Sequence, residues 1–133
     1  MHEDGSRRRY VNCLTGAQLH RLAYREWGDP ANPRVVVCVH GLTRNSRDFG
    51  PLGRALSDRW RVIAADMPGR GASERLADPM LYQVPTYVAN AVTLLARLDV
   101  ETVDWVGISL GGLMGMALGG FERSPIRRLV ISD

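Results

Sequence analysis

The run from Val35 to Val39, inside R-V-V-V-C-V-H-G, is wholly apolar, almost entirely β-branched, and shows no alternation. A strand with one wet face alternates, so an unbroken run of this kind marks a strand covered on both faces. Cover on both faces means helices above and below a largely parallel sheet. The sequence after it obeys that demand. Further strands are expected at Trp60 to Asp66 (W-R-V-I-A-A-D), at Thr102 to Ile108 and at the closing R-R-L-V-I-S-D. Between them, Asp48 to Asp58 carries Phe49, Leu52 and Leu56 at helical spacing, with Ser46 available as a cap. Thr86 to Leu98 sets Val88, Val92 and Leu95 on one face and is opened by Pro85. Strands alternating with helices imply right-handed parallel crossovers. Upstream, Y-V-N-C-L and L-H-R-L-A-Y-R-E-W flank the turn T-G-A and read as an antiparallel pair. The expectation is an α/β fold with a mostly parallel sheet of about six strands and flanking helices. Residues 1–9 read as a flexible lead-in and residues 10–133 as one domain.

Composition removes several function classes. All 17 cationic residues are arginine, so a lysine-dependent phosphate loop and every lysine Schiff base are excluded. The net charge of +3 is mild, and apart from Arg7, Arg8 and Arg9 the arginines are scattered. No basic stripe with interleaved aromatics is present, so no nucleic-acid partner is expected. S-R-R-R-Y-V is superficially like a twin-arginine export signal, but the following N-C-L-T-G-A-Q-L-H-R lacks an apolar core. Cys13 and Cys38 lie in apolar runs without C-x-x-C spacing; buried free thiols in a reducing, cytoplasmic compartment are expected. No metal-ligand cluster or cofactor fingerprint is evident, and G-R-G-A-S after Asp66 lacks the third glycine of a dinucleotide site. The longest apolar stretch, Val106 to Phe121, has sixteen residues and begins within a strand, short of the roughly 20 that span a bilayer.

Ligands gather at the loops following the carboxyl ends of the strands in such a sheet. Three of those loops are distinctive: H-G-L-T-R-N-S-R-D-F from His40, D-M-P-G-R-G-A-S from Asp66, and G-I-S-L-G-G from Gly107. The third matches G-x-S-x-G with a strand before it and a helix after, the context of a nucleophile elbow. Ser109 is the lone polar side chain in the sixteen-residue stretch, six of whose other residues are glycine. A sharp turn would push its oxygen out of the sheet, while Gly107 and Gly111 remove side chains that would collide with neighbouring elements. Gly115 and Gly119 would let the helix lie close to the sheet. The Leu110 N–H, at the positive end of the new helix, would face a developing oxyanion. A second donor is assigned to the Leu42 N–H, with Gly41 letting that backbone approach. A plain helix cap is the alternative role for Ser109.

These three motifs, in this order and spacing, resemble the α/β-hydrolase fold superfamily, from about Leu19 to Asp133. The resemblance implies a serine hydrolase of esterase, lactonase, thioesterase or amidase type with Ser109 as nucleophile; dehalogenase relatives carry aspartate there. It gives His40 a part in shaping the oxyanion loop. His40, Asp66 and Ser109 also stand in the order His, Asp, Ser at strand ends, which leaves His40 as a base open; His2 and His20 are weaker candidates. In the family the acid and the histidine follow the serine. No histidine follows Ser109 in this chain, and Asp133 is a candidate acid. The chain therefore reads as an N-terminal half ending after the sixth strand, weak or inactive by itself, acting on a small-molecule ester, lactone or related acyl substrate. A catalytically dead binding module of the same fold is the alternative. The apolar edge Leu129 to Ile131 invites self-association.

Overall fold

The computed structural model describes residues 4–133. Its single sheet has six strands: β1 (Arg7–Thr15), β2 (Gln18–Trp27), β3 (Val35–Val39), β4 (Arg61–Ala65), β5 (Val103–Ile108) and β6 (Ile126–Ser132). Their order across the sheet is β1-β2-β4-β3-β5-β6. β1 and β2 form an antiparallel hairpin through Gly16, whose φ of 58° is the left-handed value a tight hairpin turn needs. β2 joins β4 antiparallel, while β3 pairs parallel with both β4 and β5, and β5 pairs parallel with β6. Helices α1 (Gly50–Leu56), α2 (Val84–Leu98) and α3 (Leu110–Gly119) make the crossovers.

β3 lies at the centre for the reason its sequence gives. Val35, Val37 and Val39 enter one core with Trp105, Leu94, Leu98 and Met114, while Val36 and Cys38 enter the other with Trp27, Phe49 and Val62. Successive side chains of a strand point to opposite faces, so an unbroken apolar run serves two cores at once.

Three local expectations change. Arg7, Arg8 and Arg9, expected in the lead-in, pair with Glu26, Arg25 and Tyr24 in β1. Arg7 and Arg9 reach the buried Glu26 carboxylate at 3.3 and 3.5 Å, so their charge is a reason to be in the strand. His2 lies outside the described residues. The helix expected over 48–58 is a 3-10 turn, Ser46–Phe49, followed by α1. Asn45, not Ser46, caps that turn by accepting from the Arg47 N–H; Ser46 Oγ instead accepts from Arg25 Nε. α2 starts two residues earlier than expected, and its buried face is Tyr87, Val88, Ala91, Leu94, Leu95 and Leu98, with Val92 left exposed. Among the described residues no helix is long and apolar enough to cross a membrane.

Candidate active site

The parallel register puts the ends of three strands in one row. Val39 stands level with Ala65 on one side and with Gly107 on the other. His40, Asp66 and Ser109 therefore leave the sheet along a common edge.

Ser109 joins β5 to α3 with φ 51° and ψ −107°. A non-glycine residue at positive φ stores on the order of 1–3 kcal/mol, so its neighbours must impose that conformation. They do so from several sides. The Ser109 N–H donates to the Ser132 carbonyl of β6 at 2.8 Å, and its carbonyl accepts from Leu113 N–H at 3.0 Å as the first helical bond. Trp105 Nε1 donates to the Gly111 carbonyl at 2.9 Å, tying the first turn of α3 back to β5. A Cβ on Gly107 would overlap the Gly111 carbonyl, and one on Gly111 would overlap the Val39 carbonyl. α3 thus runs directly over β5 and β3, leaving the exposed Ser109 side chain at the turn with no partner for its hydroxyl among the described residues. Further along, a Cβ on Gly115 would fall 2.6 Å from Leu129 and 2.7 Å from Trp105, so this glycine also sits against the sheet. Gly119, expected to do the same, has nothing within 4 Å of its Cβ position and faces open space.

The loop after β3 turns over Gly41 to Arg44, closed by Arg44 N–H to the Gly41 carbonyl at 3.0 Å. A Cβ at Gly41 would lie 3.7 Å from Ser109 Cβ, an ordinary contact, so a side chain there would not clash but would occupy space beside the serine. The N–H groups of Leu42 and Leu110 have no acceptor among the described residues. Leu110, as the first residue of α3, has no intrahelical acceptor to give to.

His40 is fully buried and both ring nitrogens are occupied. Nε2 accepts from the Met67 N–H at 3.0 Å, which leaves the proton on Nδ1 to donate to the Gly41 carbonyl at 2.7 Å. Burial holds its pKa below the ordinary histidine value, against the opposing bond to Gly41 and the field of Asp66. A neutral imidazole tied at both ends ties the β3 loop to the β4 loop and has no free nitrogen for Ser109. Asp66 is equally committed: its carboxylate accepts from the Ser46 and Ala72 N–H groups at 2.7 and 3.1 Å. His20 is buried in the hairpin, with Nε2 2.7 Å from Thr15 Oγ1. Asp133 follows Ser132 directly and is exposed, without a side-chain bond to Ser109. Burial pushes Cys13 up to about 11 and Cys38 up to about 12, so neither supplies a thiolate nucleophile.

One residue of the site had no role in the sequence reading. Arg70, inside P-G-R-G, donates from Nε to the Leu42 carbonyl at 3.0 Å and from Nη1 to the Pro68 carbonyl and Tyr87 hydroxyl. Its guanidinium also lies 5.4 Å from the Tyr87 ring centroid and 5.9 Å from that of Tyr82. The peptide plane next to the Leu42 N–H is thereby held. The motif was visible in sequence; the reach from one strand-end loop to another was not.

Comparison with known proteins identifies the family of the fold. Residues 34–133 match the family described as the alpha/beta hydrolase fold. A 3-hydroxybutyrate-oligomer hydrolase of Cupriavidus necator is 57% identical over 124 residues, covering 93% of this chain and 42% of that protein. An esterase of Escherichia coli K12 is 34% identical over 105 residues, covering 77% of this chain and 39% of that one. The crystal structure of an alpha/beta hydrolase from Novosphingobium aromaticivorans superposes with a TM-score of 0.83 at 38% identity, over 96% of this chain and 44% of that chain. The chain thus spans less than half the length of each of these relatives.

Proposed function

The chain belongs to the α/β-hydrolase fold family, and from that premise we propose that it contributes the nucleophile and oxyanion site of a serine hydrolase acting on a small ester or lactone. Ser109 Oγ attacks the acyl carbonyl carbon, whose π electrons move to the oxygen as the new C–O bond forms. The resulting oxyanion accepts from the N–H groups of Leu110 and Leu42. Its collapse expels the alcohol and leaves an acyl-serine, which water then hydrolyses to the acid. The observation that carries this reading is the strand-to-helix turn itself: a strained, exposed Ser109 whose hydroxyl, like the N–H groups of Leu42 and Leu110, has no partner among the described residues. The likeness to a 3-hydroxybutyrate-oligomer hydrolase supports a short hydroxyacid ester as substrate class. Unpaired Cys13 and Cys38 support a reducing, cytoplasmic setting.

Proton transfer from Ser109 needs a base. His40 is occupied by Met67 and Gly41, so the base is expected outside residues 4–133. One observation favours the second reading, a binding module without catalysis: among the described residues no imidazole reaches Ser109. A fluorophosphonate probe separates the two. Covalent labelling that disappears in Ser109→Ala, with hydrolysis of a 3-hydroxybutyrate dimer by the intact protein, is expected; an intact protein that is neither labelled nor active leaves the binding module. A polypeptide of residues 1–133 is expected to turn over p-nitrophenyl esters poorly. Efficient turnover by it, lost in Ser109→Ala, would restore His40 as base.

A further inference from the structure

On the side of the 3-10 turn and α1, a polar cavity of about 740 Å³, not lined by Ser109, is bordered by four arginines from three parts of the fold. Arg8 comes from β1, Arg25 from β2, and Arg47 and Arg54 from the 3-10 turn and α1. Arg8 and Arg25 are directly opposite each other in the hairpin register. Like charges in that relation repel and destabilise a strand pair unless something offsets them. Arg25 is offset: its guanidinium bonds to the Asp4 carboxylate at 3.1 Å and to Ser46 Oγ at 3.0 Å. Arg8 is not, and its Nε is buried without a hydrogen-bond acceptor. The guanidinium groups of Arg47 and Arg54 likewise have no acceptor among the described residues.

Two carboxylates also border the cavity, and both are engaged by other groups. Asp4 is engaged with Arg25 and with Ser6, whose N–H and hydroxyl bond to its other oxygen at 2.9 and 2.6 Å. Asp66 spends both oxygens on backbone N–H groups. Among the described residues, three guanidinium groups without an acceptor therefore border one concave space, Arg8 with a buried Nε and Arg47 and Arg54 exposed. Guanidinium groups are suited to phosphate and carboxylate oxygens because they donate in a planar fork. We propose that this cavity binds a multiply charged oxyanion, of the phosphate or pyrophosphate type carried by small phosphorylated molecules, through Arg8, Arg47 and Arg54. Arg25, held by Asp4 and Ser46, forms the fixed wall. Ser109 does not line this cavity, and the proposal does not depend on the hydrolase reading.

Titration calorimetry of the purified protein with pyrophosphate, inorganic phosphate and acetate at matched ionic strength tests this. Pyrophosphate is expected to bind more tightly than phosphate, and acetate not to saturate. The affinity for pyrophosphate should fall about tenfold for each of Arg8→Gln, Arg47→Gln and Arg54→Gln, and stay unchanged in Ser109→Ala. A thermal readout guards against misfolded variants. Without anion, Arg8→Gln should melt at or above the wild-type temperature, because it removes an unpaired charge. Pyrophosphate should raise the melting temperature of the wild type and not of the triple variant. Absence of saturable pyrophosphate binding, equal affinity for acetate, or an equal pyrophosphate-induced rise in the triple variant would each overturn the proposal.

Discussion

At the scale of single residues, the elbow trades stability for presentation. Ser109 holds φ 51° against the preference of any side chain with a Cβ. Ser109→Gly should therefore stabilise the fold by about 1–3 kcal/mol as the strain is released, while Ser109→Ala keeps the strain and should not. Urea denaturation of the two variants gives the comparison, and equal stabilities would mean that the turn is not strained. Arg70 acts one step from the chemistry. Its bond to the Leu42 carbonyl holds the peptide next to the N–H proposed as an oxyanion donor. Arg70→Met should slow fluorophosphonate labelling of Ser109 by about tenfold, equivalent to roughly 1.4 kcal/mol of transition-state stabilisation. A role in packing alone would lower the melting temperature and leave the labelling rate of the folded fraction intact.

At the scale of elements, Glu26 joins three strands. From β2 it takes Arg7 and Arg9 of β1 and, at 2.8 Å, Arg61 of β4, while being only 2% exposed itself. Burial alone would raise its pKa, but bonds and field from Arg61 and Arg7 outweigh it and hold the carboxyl below its ordinary value. A carboxyl with a lowered folded-state pKa contributes stability above its unfolded value, near 4.3, and loses it as pH falls through the folded value. Glu26→Gln should cost about 3 kcal/mol at neutral pH by leaving Arg61 unpaired, and should flatten the acid side of the stability profile. Melting curves from pH 7 down to about 3 for both proteins check the sign; parallel curves would place the acid transition elsewhere. The same residues explain what sequence could convey. β3 and the strand-to-helix turn at Ser109 are encoded within a few neighbouring residues, a β-branched run and G-x-S-x-G, and the strand and the turn are where the pattern puts them. Arg7 and Arg9 looked like part of a solvated leader because their partner Glu26 lies on the neighbouring strand. The cap at Asn45 was masked because Ser46, an equally good capping residue, is used by Arg25. Arg70 was legible as part of a motif and illegible as the brace of Leu42, since that contact joins two loops.

At the scale of the whole molecule, the two sheet edges differ. β1 places Arg7 and Arg9 at its edge, and charged residues of this kind discourage pairing with another chain. β6, at the opposite edge, presents Leu129, Val130 and Ile131 at 37, 58 and 46% exposure. α3 approaches the first and last of these, since Cβ atoms built on Gly115 and Gly112 would meet Leu129 and Ile131. Val130, pointing to the opposite face by the alternation of the strand, is free of that contact. An unpaired apolar strand offers a row of backbone donors and acceptors to a second copy. A polypeptide of residues 1–133 is therefore expected to self-associate through β6 and to do so at high ionic strength as well, because the contact is apolar. Val130→Lys places a charge on that edge without touching the packing of α3, so it should raise the dissociation constant at least tenfold with little change in melting temperature. Sedimentation velocity over a concentration series distinguishes the cases: a wild-type polypeptide that stays monomeric, or a Val130→Lys variant that associates as strongly, would show that β6 is not the contact.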